Sequence, residues 1–123
     1  MKKRFWAVPL AAVAAIGVGY AADLHTPHVG LGCPEGFVGR YHFINNQLPE
    51  GTPAGTIDVV YSSGDVCTES AYKVLNHVQH FLCTGVEGTI LSASTNPLPG
   101  KLVLSDFSCR CKKDPKTGKC PVT

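Results

Sequence analysis

The chain has none of the short motifs that identify the common enzyme classes. It contains no Gly-x-Ser-x-Gly nucleophile elbow, no zinc-protease helix motif, no phosphate-binding loop and no dinucleotide-binding fingerprint. Internal repeats, coiled-coil heptads and low-complexity tracts are also absent from the sequence. The carboxylates Glu35, Asp58 and Glu69 stand apart, without an evident glycosidase pairing. We therefore predict a protein that is not an enzyme and that uses no cofactor.

Cysteine is absent from the first 32 residues, and a different pattern occupies that part of the chain. Three basic residues, Lys2, Lys3 and Arg4, precede an apolar stretch that ends in small residues up to Ala21. This pattern predicts a signal peptide over residues 1–21 and a secreted or periplasmic protein. The alternative is an uncleaved anchor, because the apolar run approaches the roughly 20 residues of a membrane span. Membrane association is expected only in that second case.

The charge balance gives no support to a nucleic-acid-binding surface. Removal of residues 1–21 takes away three of the eleven Lys and Arg residues, which leaves eight against nine Asp and Glu. Lysines do cluster near the C-terminus, but Asp114 interrupts them, so that segment is expected to be a solvated tail. We therefore predict no nucleic-acid partner.

Short runs of β-branched and aromatic residues alternate with Gly, Pro and Asn clusters along the rest of the chain. The runs are Phe37–Ile44, Thr56–Tyr61, Thr89–Ala93 and Lys101–Ser105. Such spacing is typical of an all-β fold, and we predict a mainly β protein, a small antiparallel β-sandwich stapled by disulfides.

Alternation within the runs predicts which side chains face the core. In the first run Tyr41 and Phe43 share one face, and Arg40 and His42 take the other. In the second run Ile57, Val59 and Tyr61 are expected to point inward. The apolar parity slips between Leu104 and Phe107, which indicates a β-bulge or a strand end near Asp106.

Six cysteines allow fifteen disulfide pairings, and their positions favour one of them. Cys33 opens the core region and Cys109 follows the last strand, so a bridge between them would tie the chain ends together. A second bridge would clamp the intervening segment, and a third would close the C-terminal tail. The predicted pairs are Cys33–Cys109, Cys67–Cys83 and Cys111–Cys120. Cys109-Arg110-Cys111 also has two other interpretations, a redox dithiol or a thiolate pair on zinc.

These features divide the chain into four parts. A signal peptide covers residues 1–21, an extended leader 22–32, the β-sandwich domain 33–109, and a disulfide-closed tail 110–123.

Several motifs resemble a group of uncharacterised secreted bacterial all-β domains. The group has a leading Cys-Pro-x-Gly, an aromatic-His-Phe-x-Asn-Asn-Gln strand and a closing Leu-Ser-Asp-x-x-Cys. The corresponding stretches here are Cys33–Gly36, Tyr41–Gln47 and Leu104–Cys109, with Val78–Phe81 as a further similarity. The resemblance implies an extracellular β-sandwich module, and it supplies no catalytic residues.

Residues 68–82 fit two structures. The apolar positions Ala71, Val74, Leu75, Val78 and Leu82 form a helical stripe, whereas the surrounding β pattern and the resemblance favour extended chain. We expect a loop or one short helix around residues 69–76, followed by a strand over His77–Cys83.

The histidines offer the main alternative to a purely structural domain. His77 and His80 would chelate a metal from one face of a helix, but on a strand they would point to opposite faces. A small hydrolase using His42 with Ser105 and Asp106 is a weaker alternative, because no spacing demands it.

The function predicted overall is a secreted, non-catalytic binding or structural module that acts through surface loops or sheet edges. Asn45, Asn46 and Gln47 are the candidate contact residues, since binding residues concentrate on loops of rigid scaffolds. The expected partner is an extracellular protein or glycan, or a second copy of the chain. The alternative is a secreted metal- or small-ligand-binding protein that uses His77 and His80.

Overall fold

The fold consists of eight β-strands in two antiparallel sheets. The computed structural model describes residues 22–96, 100–113 and 116–120. The strands are β1 (Ala22–Asp23), β2 (Phe37–Asn46), β3 (Thr56–Tyr61), β4 (Val66–Ser70), β5 (Lys73–Val74), β6 (Gln79–Glu87), β7 (Ile90–Asn96) and β8 (Lys101–Cys111). A 3-10 turn spans Thr26–His28. Sheet A has the order β1-β7-β3-β4, and sheet B has the order β5-β6-β2-β8. The predicted small β-sandwich is confirmed.

Strand alternation fills the space between the two sheets with apolar side chains. The inward residues of β2 and β3 are those expected: Tyr41, Phe43, Ile57, Val59 and Tyr61 are fully buried. Phe81 from β6, Ile90 from β7 and Leu102 from β8 complete this layer. Each buried side chain of this size contributes roughly 1.5–3 kcal/mol relative to an exposed one, so this layer supplies much of the stability.

The first described residues join the two sheets along one side. β1 pairs with β7 at the edge of sheet A, whereas Leu24 forms a parallel bridge with Leu102 at the edge of sheet B. The amide of His25 donates to the carbonyl of Leu102 at 2.9 Å. Because Leu24 is also buried, the segment predicted as an extended leader is part of the sandwich.

The opposite side is joined by β4 and β5, which form one stretch of chain that changes sheets. β4 pairs with β3 in sheet A, and β5 pairs with β6 in sheet B. At the crossing, the amide of Ala71 donates to the carbonyl of Gly55, and the amide of Tyr72 donates to the carbonyl of His80. The edge on this side therefore belongs to two short strands, a common way of limiting edge-to-edge association.

Three disulfides connect the elements, with the pairing expected from the sequence. Cys33 is bridged to Cys109, Cys67 to Cys83, and Cys111 to Cys120. The bridge from β4 to β6 links sheet A to sheet B directly. All six cysteines are oxidised, so the thiol-based interpretations of Cys109 and Cys111 do not apply to this structure.

The short helix expected around residues 69–76 is wrong. Residues up to Ser70 belong to β4, and Lys73–Val74 form β5. The apolar stripe that suggested a helix does not cover a core, because Val74 and Leu75 are exposed. Hydrogen bonds from β3 and β6 hold this segment extended instead. The expected strand over His77–Cys83 exists but begins at Gln79 and continues to Glu87.

The predicted signal peptide at residues 1–21 lies outside the described residues, as do parts of the C-terminal tail. Within the described residues, no helix has the length and apolar character needed to cross a membrane.

Candidate functional site

The outer face of sheet B carries a row of titratable side chains. Alternation along β2 points Tyr41 and Phe43 inward and leaves Arg40 and His42 on the outer face. In β6 the same rule places His80 on the outer face. In β8 the bulge predicted near Asp106 is present: His42 lies opposite Asp106, but the next residue of β2 lies opposite Leu104. The one extra residue, Ser105, thereby brings a carboxylate opposite an imidazole.

The row is connected by hydrogen bonds across three strands. Nδ1 of His42 lies 3.1 Å from Oδ2 of Asp106, and Nε2 of His42 lies 2.8 Å from Nδ1 of His80. The two imidazole planes are within 14° of parallel. The ring of Tyr72 lies beside both, with centroids 6.1 Å from His42 and 6.0 Å from His80. We call Asp106, His42 and His80 the histidine row.

Donor and acceptor rules relate the positions of the protons in the histidine row to one another. An ionised Asp106 only accepts, so Nδ1 of His42 carries the proton that is donated to it. A neutral His42 then accepts at Nε2, and Nδ1–H of His80 is the donor. If His42 is protonated, the direction of the second bond reverses. Either way one proton lies between the two imidazoles, and both rings cannot be charged while this bond exists.

The surroundings of His80 disfavour its charged form. Burial lowers the pKa of His80, and the nearby His42 and Lys73 lower it further. The neutral imidazole, the form that can bind a metal, is therefore favoured at His80.

A shallow groove of about 290 Å³ lies beside the histidine row on the same face of sheet B. Its walls come from β2, β6 and β8, and its lining is Val38, Gly39, Arg40, Thr84, Gly85, Ser108, Cys109 and Arg110. Register places Arg40 opposite Ser108, and Val38 opposite Arg110, so the two arginines are diagonal neighbours on one face. We call this the arginine groove.

The arginine groove is electropositive and its cations are unpaired. The chain has three arginines, and the two that lie within the described residues both line this groove. Over residues 22–96, 100–113 and 116–120, neither guanidinium makes a hydrogen bond or an ion pair. The lining contains no carboxylate. Two carboxylates lie near the groove and have other partners: Asp106 is hydrogen-bonded to His42, and Glu87, opposite Val38, pairs with Lys112.

The two histidines of the metal-binding alternative, His77 and His80, have different partners, as expected if the segment is extended. Nδ1 of His77 lies 2.8 Å from the carbonyl oxygen of Leu48, in the turn after β2, whereas His80 points to His42. No group of three or more His, Cys, Asp or Glu side chains converges on a metal position in the part of the chain that the structure describes. The hydrogen-bond partner of His80 is instead His42, which the sequence suggested only as part of the hydrolase alternative.

The three candidate contact residues at the end of β2 also separate. Asn45 is fully buried, and its amide donates to Oγ1 of Thr95 at 3.3 Å. Asn46 is half-buried in the strand, and Gln47 is exposed with a φ of 62°. Asn45 is therefore a core residue, because the strand extends two residues further than the apolar pattern indicated.

Within the described residues, Ser105 does not lie at the nitrogen of His42 where the hydrolase alternative needs its nucleophile. His42 and Asp106 do have the base-and-orienter geometry of a catalytic triad. However, Oγ of Ser105 lies 3.4 Å from Oδ2 of Asp106, and the Nε2 position of His42 is taken by His80. The geometry therefore suits proton sharing or ligand binding better than acyl transfer.

Comparison of the chain with protein-family models, with curated proteins and with solved structures finds no match. The resemblance to secreted bacterial domains stays a prediction.

Proposed function

We propose that the protein is a secreted, non-catalytic binding module whose recognition surface is the outer face of sheet B. In this proposal the arginine groove holds an anionic group, a carboxylate or a sulfate, on an extracellular glycan. The observation that carries the proposal is the meeting of Arg40 and Arg110, both unpaired within the described residues, in a groove without carboxylates.

The chemistry of the groove supports an anionic ligand. Guanidinium groups present planar, paired donors that match the oxygens of carboxylates and sulfates. The two guanidinium charges repel each other, and an anion bound between them offsets this repulsion. The hydroxyl groups of Thr84 and Ser108 add donors and acceptors to the same lining.

The shape of the groove supports a glycan in preference to a peptide. The groove is shallow, and Val38 is the one large apolar side chain in its lining. A peptide that binds with high affinity usually inserts an apolar anchor into a pocket. A saccharide is recognised mainly through hydrogen bonds and charge, which this lining provides.

The fold supports a face as the contact surface in preference to an edge. β8 forms one edge of sheet B, and its first part is covered: Leu24 and His25 contact Leu102, and the amide of Leu104 donates to Nδ1 of His28. β-strand addition needs a free row of backbone groups, and these contacts shorten the row that the edge offers. Export to an oxidising compartment is supported by the three disulfides.

The proposal is tested by calorimetric titration of the full chain with three oligosaccharides of equal length: a sulfated one, a uronic-acid one and a neutral one. We expect binding of at least one acidic oligosaccharide and none of the neutral one. Arg40→Ala and Arg110→Ala should each weaken binding at least tenfold, and Arg40→Lys should restore only part of it, because lysine is a point charge.

Lys101→Ala is the matched control, since it removes an exposed positive charge on β8 outside the groove. Its binding should change less than twofold. Equal losses of affinity in Lys101→Ala and Arg40→Ala would indicate that binding depends only on overall positive charge. This result would contradict the proposal. So would binding of a protein partner that is insensitive to both arginine substitutions.

A further inference from the structure

The facing imidazole nitrogens of His42 and His80 form an arrangement that the arginine groove does not use. Nε2 of His42 and Nδ1 of His80 are 2.8 Å apart, on two neighbouring strands of one sheet. His42 retains only 18% side-chain exposure, and His80 is half-buried. Strand pairing fixes both backbones, so the two imidazoles are attached at neighbouring positions of one sheet.

Two imidazole nitrogens at this separation match the requirement of a transition-metal ion. Nitrogens bound at about 2.0 Å to one ion lie about 2.8–2.9 Å apart when they occupy neighbouring corners of a square plane. A tetrahedral ion needs about 3.3 Å. Metal binding requires His80 to carry its proton on Nε2 in place of Nδ1, and each ring to turn its free lone pair towards the ion on the solvent side.

The third member of the row supplies the outer partner that metal-binding histidines usually have. Asp106 accepts a hydrogen bond from Nδ1 of His42, which leaves Nε2 unprotonated and aimed at His80. Carboxylates in this position fix the tautomer of a ligating histidine and make its free nitrogen more basic. The negative charge of Asp106 also attracts a cation, and the nearby Lys73 opposes it.

We propose that His42 and His80 bind one divalent first-row transition ion, through Nε2 and Nδ1 respectively, with Asp106 as the supporting carboxylate. Copper(II) binds most tightly, because it combines a square-planar preference with the highest affinity of the series for nitrogen ligands. Water occupies the remaining positions on the solvent side. This site goes beyond the proposed glycan binding and does not depend on it.

The first experiment uses the wild-type chain, so that no variant has to fold. Two-dimensional NMR of the histidine rings, which distinguishes Nδ1 from Nε2, is recorded during titration with zinc(II) alone, a diamagnetic ion. We expect Nε2 of His42 and Nδ1 of His80 to shift together at one equivalent of metal. Rings that keep their metal-free shifts at ten equivalents would overturn the proposal, as would ligation by the opposite nitrogens.

The second experiment measures copper(II) affinity by competition with a chelator of known strength. His42→Gln and His80→Ala should each reduce the affinity more than Asp106→Asn does, and Asp106→Asn should cost about ten- to a hundredfold. Two matched controls remove histidines elsewhere. His77→Ala affects a histidine bonded to Leu48, and His25→Ala removes an imidazole near the start of the described chain.

Both control variants should bind copper(II) within twofold of wild type. Copper binding that is lost in His25→Ala or His77→Ala, but retained in His80→Ala, would contradict the assignment. Electron paramagnetic resonance of the copper-loaded wild type should show hyperfine coupling to two imidazole nitrogens. Coupling to none, with full affinity in His42→Gln, would likewise overturn it.

Discussion

The rings of Tyr41 and Tyr61 pack 5.0 Å apart in the core, but only the hydroxyl of Tyr41 is hydrogen-bonded among the described residues. Tyr41 Oη accepts from the amide of Cys33 at 2.9 Å and donates to the carbonyl of Gly88 at 2.8 Å. Both side chains are fully buried. Burial accordingly raises the pKa of each phenol above its ordinary value of 10.0.

This contrast predicts opposite effects of one chemical change. Tyr41→Phe should destabilise the protein by about 1–3 kcal/mol, because it leaves a buried amide and a carbonyl without their partner. Tyr61→Phe removes a hydroxyl that has no partner among the described residues, so it should be neutral or slightly stabilising. Denaturant unfolding of the two variants measures the difference. A larger loss of stability for Tyr61→Phe than for Tyr41→Phe would contradict this assignment of the two hydroxyl environments.

The buried amide of Gln79 holds the segment that precedes β3. Its Oε1 accepts from the amide of Gly55 at 2.9 Å, and its Nε2 donates to the carbonyl of Pro53 at 2.8 Å. Gln79→Leu should cost about 2–4 kcal/mol, because similar volume is kept but buried backbone groups lose their partners. Hydrogen exchange should show the amide of Gly55 unprotected in the variant. Leu82→Gln, on the outer face of the same strand, is the positional control, with an expected loss below about 1 kcal/mol.

The disulfides should differ in their contribution to stability. Cys33–Cys109 closes a separation of 76 residues, and replacement of both cysteines by alanine should cost about 4 kcal/mol in the chain-entropy account. Cys111–Cys120 closes only nine residues, for which the same account gives at most about 2.5 kcal/mol, and its position in an exposed tail should reduce the loss further. Denaturant unfolding without reductant compares the two. Equal losses would mean that the tail is structurally coupled to the sandwich.

The metal-free protein should lose stability as the pH falls below about 6.5, the ordinary pKa of histidine. The pKa of His80 is lowered in the folded state, by burial and then by His42 and Lys73. Between the unfolded-state pKa and the lower folded-state pKa, the unfolded chain binds more protons, so acid favours unfolding there. Above this window His80 contributes no slope.

Thermal unfolding from pH 8 to pH 4.5 measures this dependence, with His80→Gln as the comparison. Tyr72 and Asp106 also face the row, and both remain in that variant. The variant should show a shallower fall in melting temperature below pH 6.5. Parallel curves for wild type and variant would exclude His80 as the source.

The sequence pattern predicts local features well, because alternation is a property of adjacent residues. The inward faces of β2 and β3 and the bulge near Asp106 follow from apolar parity alone. For the segment around Val74, the apolar pattern predicts the wrong structure, and the reason is physical. Its apolar residues satisfy helical spacing by composition, but the pairing of β4 with β3 and a short hairpin with the start of β6 hold the segment extended.

The candidate site could be predicted only in part, because it depends on register between strands. Sequence alternation places Arg40 and His42 on the outer face of β2, as the structure does. Their neighbours Arg110 and His80 are set by the pairing of β2 with β8 and with β6. Sequence spacing instead suggested His77, three residues away, as the metal-binding companion of His80. No local signal in the sequence indicates a contact across strands.

The most direct test of the account maps a ligand onto the molecule. Backbone amide NMR shifts of the wild-type chain are followed while a sulfated oligosaccharide is added. We expect the largest shift changes at residues 38–40, 84–85 and 108–110, and none in β3, β4 and β7. Changes centred on sheet A, or on the turn at Gln47, with none at Arg40 and Arg110, would contradict the assignment of the outer face of sheet B as the binding surface.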